Sequence, residues 1–103
     1  MRLALVAEVE EEVEAAAVWY DEQRPGLGDE LLAEVHRAFD LLRRSPDTWP
    51  VWPRAPKRIP PVRRLVVSRF PYAVAFQVFP DRVVVLAVAH MKRKPFYWAR
   101  RAR

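Results

Sequence analysis

Cysteine is absent from the chain, and its 103 residues include only two glycines, Gly26 and Gly28. Without cysteine there is no disulfide, no thiolate nucleophile and no cysteine-based metal site. Two glycines this close together cannot make a glycine-rich loop that cradles phosphates, so no nucleotide cofactor is implied. The two histidines, His36 and His90, lie far apart and make no metal site. Long apolar runs are missing too. The opening Leu3–Ala7 stretch meets Glu8 and four further acids by Glu14, which is too short for a signal peptide or a membrane span. It reads as a first strand of a cytoplasmic protein with no membrane partner.

The scarcest feature is negative charge in the second half. Residues 51–103 hold one acid, Asp81, against 13 basic side chains, while residues 1–50 hold 12 acids against 5 basic ones. The halves therefore carry net charges of +12 and −7. A fold that gathers the second half on one face attracts polyanions or acidic protein segments. That half is also rich in aromatics, in Arg69-Phe70-Pro71-Tyr72 and in Lys94-Pro95-Phe96-Tyr97-Trp98-Ala99-Arg100-Arg101. Cations beside aromatics suit nucleic-acid contact and ordinary protein recognition alike.

The length predicts one domain spanning 1–103. The spacing predicts a helix over 8–23, with Val9, Val13, Ala16, Ala17 and Tyr20 on one stripe. Pro25-Gly26-Leu27-Gly28 breaks it. A second helix over 28–44 carries Leu31, Leu32, Val35, Ala38, Phe39 and Leu42 inward, with Arg43 and Arg44 in its last turn and Pro46 beyond. The short break makes the pair an antiparallel hairpin. Six of the ten prolines fall in 46–61, with Trp49 and Trp52 among them, which predicts a structured crossing loop pinned by the tryptophans. Three strands follow. In 62–69, Leu65 and Val67 share one face and Arg64, Val66 and Ser68 the other. In 72–79, Tyr72, Val74, Phe76 and Val78 oppose Ala73, Ala75 and Gln77. The nearly all-apolar 82–90 reads as a central strand covered on both sides, with His90 on the face of Val84, Leu86 and Val88. Short connections make these an antiparallel meander. Residues 95–102 read as a short terminal helix with Pro95 in its first turn. The expected fold is α+β: a strand, a two-helix hairpin, and a curved antiparallel sheet displaying its arginines together.

Ala16-Ala17-Val18-Trp19-Tyr20, Pro25-Gly26-Leu27-Gly28 and Leu31-Leu32-Ala33-Glu34-Val35 together resemble the helical hairpin of the RelE/ParE toxin superfamily. Arg63-Arg64, Arg69-Phe70-Pro71-Tyr72, Ala87-Val88-Ala89-His90 and Arg93-Lys94-Pro95 with Tyr97-Trp98 and Arg101 follow in that superfamily's order over nearly the whole chain. The resemblance implies the toxin of a type II toxin–antitoxin pair. Its partner would be a small antitoxin with an acidic, partly disordered segment, in a higher-order complex. RelE-like members cleave mRNA in the ribosome without a metal; ParE-like members inhibit DNA gyrase. In RelE-like ribonucleases a key arginine directly follows the aromatic that resembles Tyr72, and here that position is Ala73. The Phe70-Pro71-Tyr72 turn and the ending at His90 look ParE-like. The resemblance thus points to gyrase inhibition, with ribosome-dependent mRNA cleavage as the alternative.

For cleavage the candidates are His90 as acid or base, Arg93 as phosphate cation and Tyr97. For target or antitoxin binding they are Arg63, Arg64, Arg69, Tyr72, Lys92, Arg93, Trp98 and Arg101. Each has a plainer alternative. His90 can be a hydrogen-bonded strand-end residue, the arginines a solvated face or partners for the acidic helices, and Tyr97 and Trp98 packing for the last segment. Glu10 to Glu14 read as a solvated helix face.

Overall fold

The computed structural model describes residues 1–103. Strand β1 (Arg2–Leu5) leads into helix α1 (Ala7–Gln23) and helix α2 (Leu27–Arg44), followed by a 3-10 turn at Pro46–Thr48. Strands β2 (Val62–Val66), β3 (Tyr72–Val78) and β4 (Arg82–His90) come next, and a 3-10 turn at Ala99–Arg101 closes the chain. The sheet order is β1-β4-β3-β2. β2, β3 and β4 form the expected antiparallel meander, and β1 joins parallel to β4, so the sheet is mixed.

The hairpin turns where glycine is required. Gly26 caps α2 at φ 90°, a left-handed conformation that side chains disfavour. At Gly28 a Cβ would collide with the Ala17 carbonyl oxygen and lie 2.8 Å from the Asp21 carboxylate. The bare backbone lets α2 cross α1 closely, and the Gly28 N–H donates to Asp21 Oδ1 at 2.7 Å. Glu8 and Glu10 in the first turn of α1, and Arg43 and Arg44 in the last turn of α2, suit the helix dipoles.

The helix stripes close on one face of the sheet. Val9, Leu31, Val35, Ala38, Phe39 and Leu42 pack there against Leu65, Val74, Phe76, Val83 and Val85. On the other face Val62, Ala75, Leu86, Ala87 and Ala89 form a smaller cluster under Trp98. No helix lies over it; the proline loop and the C-terminal segment cover it. Val51 bridges to Arg63 and the Trp52 N–H donates to the Val62 carbonyl, so the loop sits along the free edge of β2. Trp49 packs on the helix side and Trp52 on the opposite side, so the two tryptophans do pin the loop.

Three expectations are corrected. β2 ends at Val66 rather than Ser68-Arg69, because Arg69 adopts φ 70° and Pro71 has no N–H to continue the ladder. The terminal helix shrinks to one 3-10 turn, because Phe96 holds φ 59° and interrupts any regular helix from Pro95. A bulge opposite Ala75–Phe76 leaves Leu86 as an extra residue in β4. Beyond it the faces swap. Leu86 stays with Val84 on the open side, while Val88 joins the helix-side core and His90 pairs with Tyr72.

Candidate functional site

Where the proline loop and the C-terminal segment part, the open face of the sheet forms the floor of a groove of about 580 Å³. β3 and β4 supply the floor through Ala73 and Ala89; their small side chains set its depth. The proline loop lines the groove with Trp52 and Arg54, and the C-terminal segment with Phe96, Tyr97 and Trp98. The Trp52 and Trp98 rings lie 5.0 Å apart and the Phe96 and Trp98 rings 5.8 Å apart, edge to face. These contacts hold an irregular segment in place without regular secondary structure.

Four permanent cations line the groove: Arg54, Arg64, Arg93 and Lys94. No acid does. None of the four takes part in the ion pairs of the protein. Arg64 projects from β2 over the Trp52 ring at 5.4 Å, and Arg93 lies over the Tyr97 ring at 3.8 Å.

Behind the Tyr97 wall stands Glu12 of α1. Its Oε2 accepts from the Tyr97 hydroxyl at 2.6 Å and from Arg101 Nη1 at 3.1 Å, and its Oε1 accepts from the Val88 N–H at 3.2 Å. Arg101 also donates to the Leu86 carbonyl at 3.0 Å. β1 pairs only as far as Val85, so the edge of β4 beyond it has free backbone groups. Glu12 and Arg101 satisfy two of them. Burial, then the hydrogen bond to Glu12 and its negative charge, push the Tyr97 phenol well above its ordinary range. Tyr97 is therefore a fixed neutral donor and not a base at neutral pH.

The sequence-based candidates divide. Arg64, His90, Arg93, Tyr97 and Trp98 do meet at the groove. The expectation that all the arginines share one face is overturned. Arg63 alternates to the helix side and donates to the Trp49 carbonyl at 2.7 Å. Arg69 is spent on α2, 2.6 Å from Glu30 and 3.6 Å from Glu34. Tyr72 is buried in the helix-side core beside Tyr20; desolvation, and then the neighbouring Tyr20, raise its pKa. Arg101 is held by Glu12, and the exposed Lys92 side chain lies outside the groove lining. Oppositely charged halves thus meet partly within the fold, which uses up several of the cations.

Sequence reasoning does not single out Arg54. It sits at φ 63° in the proline loop, and no periodicity marks it. His90 Nδ1 accepts the Lys92 N–H at 3.0 Å, and its ring packs edge-on against Tyr72 at 5.0 Å, on the side of β4 away from the groove floor. The groove thus offers cations, ring faces and donors. It can bind an anion with an apolar part, and it lacks an evident proton acceptor for nucleophilic attack. No group of three or more metal-ligating side chains comes together, and no helix is long and apolar enough to cross a membrane.

A family model described as "ParE toxin of type II toxin-antitoxin system, parDE" matches residues 4–95. A solved structure of the chromosomal ParDE TA system from P. aeruginosa is similar in fold. Its TM-score is 0.73 at 17% identity, over 89% of this chain and 97% of that one. No curated protein matches. The match to the family model spans most of the chain, which therefore belongs to the family of ParE toxins of type II toxin–antitoxin systems. That membership implies an antitoxin as partner.

Proposed function

We propose that this ParE-family chain is a one-domain cytoplasmic toxin that acts by binding and inhibiting DNA gyrase, and that the acidic, partly disordered segment of a cognate antitoxin neutralises it within a higher-order complex. The observation that carries the choice of a binding mechanism is Ala73. It lies buried on the groove floor, at the position where the resemblance to RelE-like ribonucleases requires a phosphate-stabilising arginine. Two further features support binding over cleavage. The Tyr97 hydroxyl is committed to Glu12, and His90 Nδ1 is committed to the Lys92 backbone. Attack by a ribose hydroxyl needs a base, an acid and a cation on the crowded phosphate. Of these, only the cations, Arg54, Arg64, Arg93 and Lys94, stand free in the groove.

One observation favours the alternative, a metal-independent mRNA endonuclease: His90, Arg93 and Tyr97 do converge on one groove. Two assays run on the same purified protein separate the readings. Gyrase supercoiling is expected to stop while mRNA on translating ribosomes stays intact. Codon-placed cuts on those ribosomes, with supercoiling untouched, would transfer the function to the enzyme. Induced expression is expected to arrest growth, and co-expression of a short acidic antitoxin from the neighbouring reading frame to restore it. Unimpaired growth with folded protein present would count against the toxin reading as a whole.

A further inference from the structure

We propose that the groove between the proline loop and the C-terminal segment receives a second copy of this chain, which seats the outward stripe of its helix α1 there, so that copies join head to tail. The inference goes beyond gyrase inhibition and antitoxin binding and depends on neither.

The charges left unpaired by the fold carry the first step. Arg54, Arg64, Arg93 and Lys94 line the groove with no acid among them and no carboxylate partner elsewhere. Most of the acids without an ion pair sit on α1. Glu10, Glu11, Glu14 and Glu22 are exposed, and none of them meets a cation. Helical spacing puts Glu11, Val18 and Glu22 on one line, opposite the buried Val9 and Ala16, with Glu14 beside it. Its acidic ends are about 16 Å apart at the helical rise. Its middle is apolar: Val18 is 55% exposed and the adjacent Trp19 54%. The groove is the converse, with apolar surface from Trp52, Met91 and Phe96 among its cations. Like charges gathered in a concavity repel one another, and an acidic surface relieves that repulsion. Opposite charge around an apolar centre is the complementarity of protein interfaces.

Placement decides how the copies meet. α1 covers one face of the sheet and its stripe points away from that face, while the groove opens on the other. A copy cannot bring its own stripe to its own groove, and two copies cannot exchange both contacts at once. Groove against groove, or stripe against stripe, sets like charges together. The arrangement that remains is heterologous, and every pair so joined still offers one free stripe and one free groove. Assembly therefore continues past two copies. The net charge of +5 opposes it at long range. That repulsion is screened beyond about 8 Å at 0.15 M salt, whereas the contacts within the groove act over shorter distances.

The test is sedimentation velocity on the purified full chain, from about 5 to 500 μM and at about 0.15 and 0.5 M salt. The average mass is expected to rise with concentration beyond that of a dimer, and to fall back toward the monomer in the higher salt. Glu11→Gln/Val18→Ser/Glu22→Gln breaks the stripe and keeps the groove. Arg93→Gln/Lys94→Gln, at exposed positions, breaks the groove and keeps the stripe. Each variant alone should lose at least about tenfold in association constant. Mixed in equal amounts they should form a dimer and nothing larger, because one intact stripe meets one intact groove; that gain also shows both variants to be folded. The groove variant carries its own control. It lowers the net charge from +5 to +3, so association governed by overall charge would strengthen where the proposal requires it to weaken. Assembly that stops at a closed dimer, or that the higher salt strengthens, overturns the proposal. So does a mixture that behaves as its separate parts while circular dichroism shows both folded. A wild type that stays monomeric yet binds a polyglutamate peptide would give the groove to a separate acidic partner and also overturn it. Gyrase inhibition by a strictly monomeric chain would remove this proposal and leave the gyrase reading intact.

Discussion

The two faces of the sheet solve the burial problem differently. The helix face is covered by two regular elements whose apolar side chains recur every three or four residues, and it buries branched and aromatic groups in one cluster. The opposite face is floored mainly by alanines and covered by irregular chain, anchored through Trp52, Phe96 and Trp98. Regular cover leaves no gap. Irregular cover leaves a groove, and four cations without a carboxylate partner line it. Under the proposed binding function, the difference places stability mainly on the side that is fully packed and recognition on the side that is not. The Glu12 carboxylate joins the two, since it leaves the helix layer to hold both β4 and the C-terminal segment.

The sharpest way to break this comparison is to empty each face in turn. Phe76 is fully buried under the helices, and Phe76→Ala should cost about 3–5 kcal/mol, read as a shifted denaturant midpoint with the whole fold lost together. Trp98 is equally hidden on the other face, 1% exposed. Trp98→Ala should cost less, about 3 kcal/mol, because loop and tail can settle into the space, and the sheet and helices should remain assembled. If both faces share the load equally, the two variants will unfold alike, and the division between stability and recognition fails.

A smaller effect tests the link between the faces. Glu12→Ala leaves the Val88 N–H and the Arg101 guanidinium without their acceptor and should cost about 2–3 kcal/mol. Its companion observation is optical. Tyr97 has a folded pKa raised above the unfolded one, so its contribution is complete below the ordinary phenol range and is lost as pH rises beyond it. The alkaline absorbance titration should contain a late-ionising phenol besides the raised Tyr72; Tyr97→Phe should remove it, and Glu12→Ala should move it earlier without abolishing it, because burial is the larger cause of the shift. A wild-type titration lacking it would mean that the C-terminal segment is not tied to α1.

How much of this was legible follows the same division. The helix hairpin was readable because Leu31, Val35, Ala38 and Leu42 recur at helical spacing between charged residues, and Gly26 and Gly28 mark the turn. The meander was readable from alternation in β3 and from short connections. The bulge at Leu86 was not, because 83–89 is apolar throughout and no polar residue marks which side chain faces where. The groove was half legible. Arg93, Tyr97 and Trp98 were singled out beside their aromatic neighbours, but Arg54 reaches them only through the path of the proline loop, which has no period. Arg69 and Arg101 were misplaced for a different reason. Their acids, Glu30 and Glu12, lie 39 and 89 residues away in sequence, and such pairings are decided by the fold.

The Arg69–Glu30 pair yields the smallest expected effect and the cleanest sign. The hydrogen bond from Arg69 holds the Glu30 carboxyl below its ordinary value; desolvation opposes it, and the charges of Arg24 and Arg69 add to it. A folded pKa below the unfolded one means stability that is present above the ordinary carboxylate range and is lost as pH falls through the folded value. The pair is open to solvent, so water and salt screen it. Wild type should therefore lose slightly more stability than Glu30→Gln as pH falls below 4.5, and the gap should narrow in high salt. Arg69→Asn keeps a residue that tolerates the left-handed backbone while deleting the cation, and should match Glu30→Gln in acid dependence. If either variant keeps the full acid sensitivity, the β2–β3 turn is not held to α2 through this pair, and Arg69 becomes free for recognition on the helix side.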